Sequence, residues 1–375
     1  MERPEFQAMD TAVVGGGVVG LSCAHELATA GYRVVLLEKR GRLGEGQSTR
    51  NSQVVHRGIY YEPGSHKARL CVAGWEIMTE LLPAWGVAHR FGGKLIVAVN
   101  DEQLPILETL LQKGRANGAD DLTLVDAAVA NKREPHIALK AALLSPRTGV
   151  FDAAEYLHQL AGRAQAAGAL LLADARVVAV DRDGPALTVH TQAKGAVLAR
   201  TVVNAAGLYS DEIARLCGDG RHTIHPCRGE YATVIPARAG LIEALVYPAP
   251  AAVGLGVHLT KTVHGELWVG PTARFIDDKE NYEGERQQPH ELFAAAQQLC
   301  PALRASDLRL GHTGIRAKRY GPGEVEADFF IERQEDDPRL VHLVGIESPG
   351  LTASPAIGRL VRQLIAEVLG PPTSA

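Results

Sequence analysis

Thr11-Ala-Val-Val-Gly-Gly-Gly-Val-Val-Gly20 joins a short apolar run to a glycine-rich turn. Residues 11–14 are typical of a buried β-strand, and residues 21–30 have the pattern of a helix. A second apolar run follows in Arg33-Val-Val-Leu-Leu-Glu38. Strand, helix and strand within about 30 residues form a βαβ unit, the context in which such glycines bind phosphate. The sequence therefore predicts an α/β fold with a Rossmann-like domain.

Gly15, Gly17 and Gly20 have the G-x-G-x-x-G spacing of dinucleotide-binding loops. The first glycine permits a tight turn, the second lets the backbone approach a pyrophosphate, and the third lets the helix pack close to the strand. Phosphates would bind the free amide groups at the positive end of that helix. Glu38 follows Gly15 by 23 residues, where its carboxylate can accept from a ribose diol and would repel a 2′-phosphate. We predict a dinucleotide site that does not take NADP, and the glycines leave FAD and NAD open.

The composition is that of a globular protein and excludes several functional classes. Of 375 residues, 46% are hydrophobic and 22% are charged, which excludes a disordered chain or a coiled coil. The net charge of −4 gives no general attraction to nucleic acid or anionic lipid. No apolar run reaches the roughly 18 residues of a membrane span. Five scattered cysteines and no visible export signal in residues 1–10 predict a reducing, cytoplasmic location.

The remaining sequence predicts helices and strands without a repeat or a linker, so we expect two interleaved domains. Polar, irregular residues occupy positions 41–61, and such long segments are more often functional than filler. Alternating positions between 225 and 270 predict antiparallel strands. Helices are expected over residues 70–82, 103–115, 153–167, 290–299 and up to about 369. Strands are expected over residues 93–99, 169–172, 177–180, 187–191, 197–203, 231–235, 256–260, 266–270 and 339–344.

Three motifs together resemble the FAD-contacting segments of the D-amino-acid oxidase (DAO) superfamily. They are Val13-Val-Gly-Gly-Gly-Val-Val-Gly-Leu21, Val202-Val-Asn-Ala-Ala-Gly-Leu-Tyr-Ser210 and Val344-Gly-Ile-Glu-Ser-Pro-Gly-Leu-Thr352. The last motif leads from a strand into a helix start, which would stabilise negative charge on a reduced flavin. An ordinary strand–loop–helix connection explains that motif equally well when it is taken alone.

Within the superfamily, the chain most resembles the L-2-hydroxyglutarate dehydrogenase (oxidase) family. That likeness rests on Arg50-Asn-Ser-Gln-Val-Val-His-Arg-Gly-Ile-Tyr-Tyr61, Lys67-Ala-Arg-Leu-Cys-Val72, Gly93-Lys-Leu-Ile-Val-Ala98, Arg228-Gly-Glu-Tyr231, Val246-Tyr-Pro-Ala-Pro250, Leu255-Gly-Val-His-Leu-Thr260 and Thr313-Gly-Ile-Arg316. The chain departs from the family in being shorter after Asn281 and in Glu347-Ser-Pro-Gly-Leu-Thr352, where the family has Asn-Ala-Pro-Ser-Pro-Ala. These departures leave the substrate and the electron acceptor open.

The resemblance implies a Rossmann-like FAD-binding domain of the GR2 type, interleaved with an α+β substrate domain built on an antiparallel sheet. The FAD domain would comprise residues 9–85, 142–225 and 311–375, and the substrate domain residues 86–141 and 226–310. The implied cofactor is FAD. Its expected contacts are Gly15, Gly17, Val18, Val19, Gly20, Glu38, Lys39, Ser48, Arg50, Asn51, Ser52, His56, Val177, Ala205, Ala206, Gly207, Gly314, Arg316, Gly345, Ser348, Gly350, Leu351 and Thr352.

The implied reaction oxidises a small 2-hydroxy acid to its 2-oxo acid by hydride transfer to flavin N5. It needs a cation for the carboxylate, and Arg316 is our candidate because a guanidinium matches a carboxylate bidentately. It also needs a base, for which His258 and His56 are candidates because of the ordinary pKa of histidine. A surface arginine and polar core histidines are the plain alternatives. Some superfamily members join a histidine near the position of His56 covalently to the flavin.

Other polar residues could contact the substrate directly. Tyr61 and Tyr247 are candidates for hydrogen bonds to it, and together with His258 and Arg316 they form the predicted substrate set. Lys94 and Arg228 are further candidates for binding a second carboxylate. The expected partners are a small molecule and an electron acceptor, which could be oxygen, a quinone at a membrane surface or an electron-transfer protein.

The sequence is compatible with two other functions and with one metal site. The same scaffold could oxidise an amine, such as an amino acid or N-methyl glycine, or it could bind flavin without catalysis. The cluster Cys217, His222, His225 and Cys227 could suggest zinc. Its C-x4-H-x2-H-x-C spacing is unusual, so we predict no metal. Nothing in the sequence suggests serine hydrolase chemistry or nucleic-acid binding.

Overall fold

A computed structural model describes residues 8–250 and 256–372. The chain divides into two compact units, each assembled from segments that are distant in sequence. Unit 1 comprises residues 1–49, 154–225 and 317–375, and unit 2 comprises residues 50–153 and 226–316. Residues 50–85, 142–153 and 311–316, which we assigned to the FAD domain, lie in unit 2; the division into an FAD domain and a substrate domain stays a prediction. Leu255 of one quoted motif and the first seven residues lie outside the described part.

The described residues form eight α-helices of very different lengths. They are α1 (Val18–Thr29), α2 (His66–Ala84), α3 (Leu104–Ala116), α4 (Ala127–Arg133), α5 (Ala153–Ala166), α6 (Ser210–Leu216), α7 (Pro289–Leu299) and α8 (Gly350–Leu369). No helix among the described residues is long and apolar enough to cross a membrane.

Twenty strands lie in the described residues, most of them short. They are β1 (Met9–Val14), β2 (Val34–Leu37), β3 (Val54–Val55), β4 (His89–Arg90), β5 (Lys94–Ala98), β6 (Thr123–Asp126), β7 (Ala141–Ser145), β8 (Gly149–Phe151), β9 (Leu170–Leu172), β10 (Val177–Asp181), β11 (Leu187–Thr191), β12 (Gly195–Asn204), β13 (His225–Val234), β14 (Leu245–Pro248), β15 (His258–Lys261), β16 (Leu267–Gly270), β17 (Arg274–Phe275), β18 (Leu308–Lys318), β19 (Phe330–Arg333) and β20 (Leu340–Val344).

Unit 1 contains one eight-stranded sheet with β1 near its centre. The strand order is β10-β11-β12-β1-β2-β9, and β20 pairs with β12 and with β19. The strands β12, β1, β2 and β9 run parallel, as a βαβ topology requires. Ala12, Val14, Val35 and Leu37 belong to the apolar core on this sheet. The carboxyl ends of β1 and β2 therefore carry the glycine turn and Glu38 to one edge, where ligands bind in such sheets.

Unit 2 is built on a nine-stranded sheet that is largely antiparallel. Its order is β17-β13-β16-β15-β14-β5-β7-β6, with β18 also paired to β13, and β3, β8 and β4 form a small second sheet. Within it β14 runs parallel to β5, which places Leu245 beside Lys94. The expected apolar–polar alternation does not give the sheet a solvent-exposed face here, because all four residues of β15 and all four of β16 are buried. Polar side chains of these strands therefore lie inside unit 2.

Candidate functional site

The turn between β1 and α1 is built from glycines because side chains do not fit there. Gly15 has a φ of +112°, and a Cβ on it would lie 2.4 Å from the carbonyl oxygen of Ala205. A Cβ on Gly20 would lie 1.9 Å from the carbonyl oxygen of Gly15, so α1 packs directly onto the turn. Gly17 precedes α1, whose first turn carries no acidic residue. The positive end of α1 is therefore suited to a phosphate.

Two side chains fix the turn from outside it. One carboxylate oxygen of Glu38 accepts from the Gly16 amide at 2.7 Å, and the other accepts from the Arg40 amide at 2.9 Å. The hydroxyl of Ser48 accepts from the Val18 amide at 2.9 Å. Glu38 therefore braces the loop as well as ending β2. Each of its oxygens keeps a second lone pair, so the predicted ribose contact stays possible.

Gln47 connects two segments of unit 1 that are far apart in sequence. Its Nε2 donates to the carbonyl of Ile346 at 3.4 Å, and its Oε1 would lie 3.4 Å from a Cβ on Gly207. Together with the contact between Gly15 and Ala205, this brings four predicted cofactor segments of unit 1 together. They are the glycine turn, the loop over residues 41–49, the turn after β12 and the loop before α8. Sequence reasoning included the loop but missed Gln47, whose tertiary contacts leave no local signal.

A second helix N-terminus belongs to the same part of unit 1. The helix α8 begins at Gly350, has no side-chain cap and carries no acidic residue in its first turn. Glu347, in the preceding loop, forms a buried ion pair with Lys318 at 3.0 Å, and Lys318 also contacts the Tyr320 hydroxyl. Glu347, which distinguishes this loop from the family pattern, is therefore paired with a lysine of the same unit. Unit 1 thus fits a large anionic dinucleotide, with two positive helix ends and a side-chain-free turn.

The predicted cofactor contacts are distributed over both units. Lys39 lies with its ammonium 3.4 Å from the centre of the Tyr209 ring, and Val177 is buried on β10. Within unit 2, Arg50 lies over the Tyr282 ring at 4.6 Å. Unit 1 holds Gly15, Gly17, Val18, Val19, Gly20, Glu38, Lys39, Ser48, Val177, Ala205, Ala206, Gly207, Gly345, Ser348, Gly350, Leu351 and Thr352, and unit 2 holds Arg50, Asn51, Ser52, His56, Gly314 and Arg316.

Arg316 is a partly buried cation of unit 2 with spare donors. One terminal nitrogen donates to the carbonyl of Thr272 at 3.2 Å and lies 4.0 Å from the Cys227 sulfur. Within the described residues no carboxylate forms an ion pair with it. Gly229 makes room for it, since a Cβ there would lie 2.9 Å from both terminal nitrogens. A guanidinium has five donors, so Arg316 can still bind a carboxylate.

His258 and Tyr247 lie on the neighbouring strands β15 and β14. Their rings stack with centroids 3.5 Å apart and planes 14° apart. His258 is 6% exposed. Burial raises the pKa of Tyr247, and the Ser52 and Thr260 side chains partly oppose that rise. Tyr247 therefore stays neutral and holds one face of the imidazole.

Ser52 connects this stack to a second aromatic group. Its side chain interacts with Tyr231 as well as with Tyr247. Tyr231 stacks on His312 with ring centroids 4.3 Å apart. Burial raises the pKa of Tyr231, and the charge of Arg316 acts in the opposite direction. Tyr231, Ser52 and Tyr247 consequently form a row inside unit 2, and Arg316 lies near enough to Tyr231 for its charge to act on that phenol.

His56 lies in a different environment from His258. Burial, followed by the charge of Lys94, lowers the pKa of His56 to about 3, so its ring is neutral at pH 7. A base of such low pKa captures a proton weakly. The arrangement favours His258 over His56 as the proton acceptor, and both assignments stay predictions. Of the remaining substrate candidates, Tyr61 accepts a hydrogen bond from Asn117 through its backbone carbonyl at 2.8 Å.

Arg228 does not fit its expected role as a second carboxylate site. It is fully buried and pairs with Glu230 at 2.9 Å. Its remaining donors bind the backbone carbonyls of Asn281 and Glu285 and the side chain of Asn281. The sequence alone could have indicated this ion pair, because Arg228 and Glu230 are two residues apart on one strand and therefore share a face.

Lys94 differs from Arg228 in having no ion pair among the residues that the structure describes. It is 1% exposed, and its ammonium lies 4.6 Å from the Tyr60 ring centre and 4.9 Å from that of Tyr247. Burial lowers the pKa of Lys94 to about 7. Among the described residues, no group of three or more histidine, cysteine, aspartate or glutamate side chains is arranged to hold a metal ion.

Comparisons with known proteins agree with this architecture. A model of the DAO family, described as FAD dependent oxidoreductase, matches residues 10–364. A mitochondrial L-2-hydroxyglutarate dehydrogenase of Arabidopsis thaliana is 33% identical, over 94% of this chain and 82% of the relative. The protein of that name from Nematostella vectensis is 32% identical, over 96% and 90%. A dithionite-reduced L-α-glycerophosphate oxidase from Mycoplasma pneumoniae with FAD bound is 28% identical, with a TM-score of 0.87 over 96% of this chain and 95% of that one.

The match spans both units and includes every segment quoted for the resemblance. It extends through the glycine turn, the turn after β12 and the loop before α8. The expected combination of a Rossmann-like domain with a substrate domain is likewise confirmed by the solved structures that share this fold. The chain belongs to the DAO family of FAD-dependent oxidoreductases, and it is an enzyme whose cofactor is FAD.

Proposed function

We propose that this enzyme oxidises a small 2-hydroxy acid, L-2-hydroxyglutarate or a close relative, to the 2-oxo acid. The single observation that carries the proposal in this chain is Arg316, a partly buried guanidinium with no ion pair in the described residues. The names of the Arabidopsis and Nematostella relatives supply the substrate class. Amine oxidation is not favoured, because these relatives are named for a 2-hydroxy acid.

The residues of unit 1 described above are proposed to hold FAD. The pyrophosphate would bind the amides of the Gly15–Gly20 turn, and Glu38 would accept from a ribose hydroxyl. The N-terminus of α8 would stabilise negative charge on the flavin. Bound FAD supplies the two-electron acceptor for a hydride that leaves the substrate Cα. Assignment of the FAD to unit 1 and the substrate to unit 2 is part of the same proposal.

The side chains of unit 2 position the substrate and move its proton. Arg316 binds the carboxylate next to the reacting carbon, because its unused donors match two carboxylate oxygens. His258 accepts the hydroxyl proton, since its ring is held in one plane by Tyr247. Loss of that proton as the hydride leaves yields the 2-oxo acid and conserves atoms and electrons. General-base action of this kind contributes about 100- to 10,000-fold to a rate.

The electron acceptor and the cellular location of the enzyme are also part of the proposal. Oxygen, a quinone and an electron-transfer protein all suit the reaction. The scattered cysteines predict a cytoplasmic location, whereas the two relatives are mitochondrial by name. Fractionation of cells that contain the native protein distinguishes the two.

Anaerobic titration of the purified enzyme with L-2-hydroxyglutarate tests the function. We expect the visible flavin absorbance to bleach with the substrate and to stay unchanged with the D enantiomer. Bleaching by glycine or proline but not by 2-hydroxy acids would overturn the substrate class and reinstate the amine alternative.

A further inference from the structure

Buried cations in proteins normally carry an anionic or carbonyl partner, because an unpaired buried charge costs several kcal/mol. Three buried cations of unit 2 obey this rule. Arg57 pairs with Asp121 at 3.1 Å, Arg228 pairs with Glu230 at 2.9 Å, and Lys261 donates to the Ala239 carbonyl at 2.7 Å. Lys94 is as buried as these residues, yet no carboxylate of the described residues forms an ion pair with it.

The surroundings of Lys94 are aromatic and hydrogen-bond donating. Its ammonium lies over the rings of Tyr60 and Tyr247 at 4.6 Å and 4.9 Å. The hydroxyl of Tyr60 is buried and has no hydrogen-bond partner among the described residues. Two neighbouring side chains thus carry donors without an acceptor among the described residues, and one anion could accept from both. A carboxylate satisfies this requirement, because each of its oxygens accepts two hydrogen bonds.

The same residues connect Lys94 to the proposed substrate site. Tyr247, which lies beneath the Lys94 ammonium, stacks on His258. Tyr247 is also joined through Ser52 to Tyr231, which senses the charge of Arg316. Two cations that have no carboxylate partner among the described residues therefore lie near the Tyr231–Ser52–Tyr247 row, Lys94 beside Tyr247 and Arg316 near Tyr231. A substrate that carries two carboxylates complements such a row.

We propose that Lys94, assisted by the Tyr60 hydroxyl, binds the carboxylate remote from the reacting carbon and so makes this enzyme selective for 2-hydroxy dicarboxylates. The proposal rests on the proposed function and adds to it the residue that selects the chain length and charge of the substrate. Arg316 then binds the near carboxylate and Lys94 binds the far one.

Binding of a dicarboxylate has a protonation signature at Lys94. The free side chain has a pKa of about 7 because of burial, and a bound carboxylate raises that pKa. The other groups that face Lys94 are His56, Tyr60, Cys71 and Tyr247. Burial lowers the pKa of His56 to about 3 and raises those of Tyr60, Tyr247 and Cys71, so these four stay neutral near pH 8. Proton uptake at pH 8 therefore reports Lys94.

The experiment uses the holoenzyme and glutarate, a dicarboxylate without a hydroxyl that cannot be oxidised, with butyrate as the monocarboxylate. Calorimetric titration at pH 8 in two buffers of different ionisation enthalpy gives the affinity and the protons taken up. We expect glutarate to bind about 10- to 100-fold more tightly than butyrate, as one charge-assisted contact implies, with proton uptake approaching one.

Lys94→Met is expected to abolish both the preference for glutarate and the proton uptake while retaining the flavin. Methionine has a similar volume, and replacing a buried charge by an apolar side chain is often neutral for stability. Lys261→Met, in the same sheet, removes a buried lysine that has its own partner and is the matched control. Tyr60→Phe removes only the hydroxyl and should weaken glutarate binding by a smaller factor, about 5- to 10-fold.

Retention of the glutarate preference and proton uptake in a flavin-loaded Lys94→Met variant would overturn the inference. Equal affinity of the wild-type enzyme for glutarate and butyrate would overturn it as well. Failure of L-2-hydroxyglutarate to bleach the flavin while glutarate still binds through Lys94 would sink the proposed reaction alone, so the two failures are distinguishable.

Discussion

The imidazole of His258 lies parallel to the phenol ring of Tyr247, with 3.5 Å between the ring centroids. The two residues are on paired neighbouring strands, β15 and β14. Backbone pairing thus sets the position of the ring, and stacking sets its plane. A proton acceptor held in this way loses little freedom when it engages a hydroxyl, which is the benefit of a preorganised base.

Replacement of His258 by asparagine should slow flavin reduction by more than about 100-fold, because a general base is lost. The measurement is the anaerobic bleaching rate in a stopped-flow instrument. His264→Asn is the control, since His264 is 58% exposed and pairs with Asp152 at 2.8 Å. A His258→Asn enzyme that bleaches at the wild-type rate would show that another group takes the proton.

Gly229→Ala should disturb Arg316 without altering its charge. The added methyl would lie 2.9 Å from both terminal guanidinium nitrogens, so the flexible side chain must move away. We expect a KM increase of roughly 10-fold, compared with roughly 100-fold for Arg316→Met. Gly240→Ala is the control, because a Cβ there meets no atom within 4 Å. Unchanged steady-state KM values in both Arg316 and Gly229 variants would remove Arg316 from the carboxylate site.

Gly20→Ala should impair FAD binding and stability together. Its Cβ would lie 1.9 Å from the Gly15 carbonyl oxygen, which forces α1 away from the turn at a cost of about 1–3 kcal/mol or more. Gly162→Ala, in α5 with open space around its Cβ, should be neutral or stabilising by up to about 1 kcal/mol. The ratio of flavin to protein absorbance and the Tm measure both effects. A fully flavin-loaded Gly20→Ala protein with an unchanged Tm would contradict the packing described.

Low pH should lower the stability of unit 1, because His342 is buried in its neutral form. Burial lowers the pKa of this histidine to about 4, below the ordinary value of about 6.5, and its ring bonds to Gln334 at 2.9 Å. Between pH 6.5 and 4 the unfolded chain binds a proton that the folded protein excludes, so stability falls as the pH falls. Below about pH 4 this contribution is fully lost.

Thermal unfolding at pH 7.5 and pH 5 measures the contribution of His342. In the His342→Gln variant the difference between the two Tm values should be smaller than in the wild type. His190→Gln serves as the control, because His190 is 39% exposed. An equal pH dependence in wild type and His342→Gln would assign the acid sensitivity to other groups.

Local sequence patterns predicted the parts of the fold that depend on local periodicity. The unit β1-α1-β2 was readable because two apolar runs flank a glycine turn, and α2, α3, α5, α7 and α8 were expected within a few residues of their observed ends. The helices α4 and α6 were missed because each has only seven residues, too few to display a helical period. Nine strands were also missed, since they are recognisable mainly by their pairing partners: β3, β4, β6, β7, β8, β14, β17, β18 and β19.

Site residues were predictable by type but not by partner. Arg316, Lys94 and Arg228 are all cations that the sequence offered to carboxylates. Arg228 pairs with Glu230, which lies only two residues away on the same strand, whereas only the folded structure shows that Lys94 and Arg316 have no ion pair in the described residues. Whether a carboxylate reaches Lys94 or Arg316 depends on tertiary contacts over long sequence separations, which no local pattern encodes.

The packing of α8 against α1 has a consequence for synthesis of the protein. The glycine turn and α1 are made before unit 2, but β20 and α8, which complete the same unit, are made after residue 339. Because domains fold as units during synthesis, unit 1 stays incomplete while nearly all of unit 2 emerges. Capture of the flavin therefore requires that α8 has been made, and a nascent protein halted before α8 would be colourless and a substrate for chaperones.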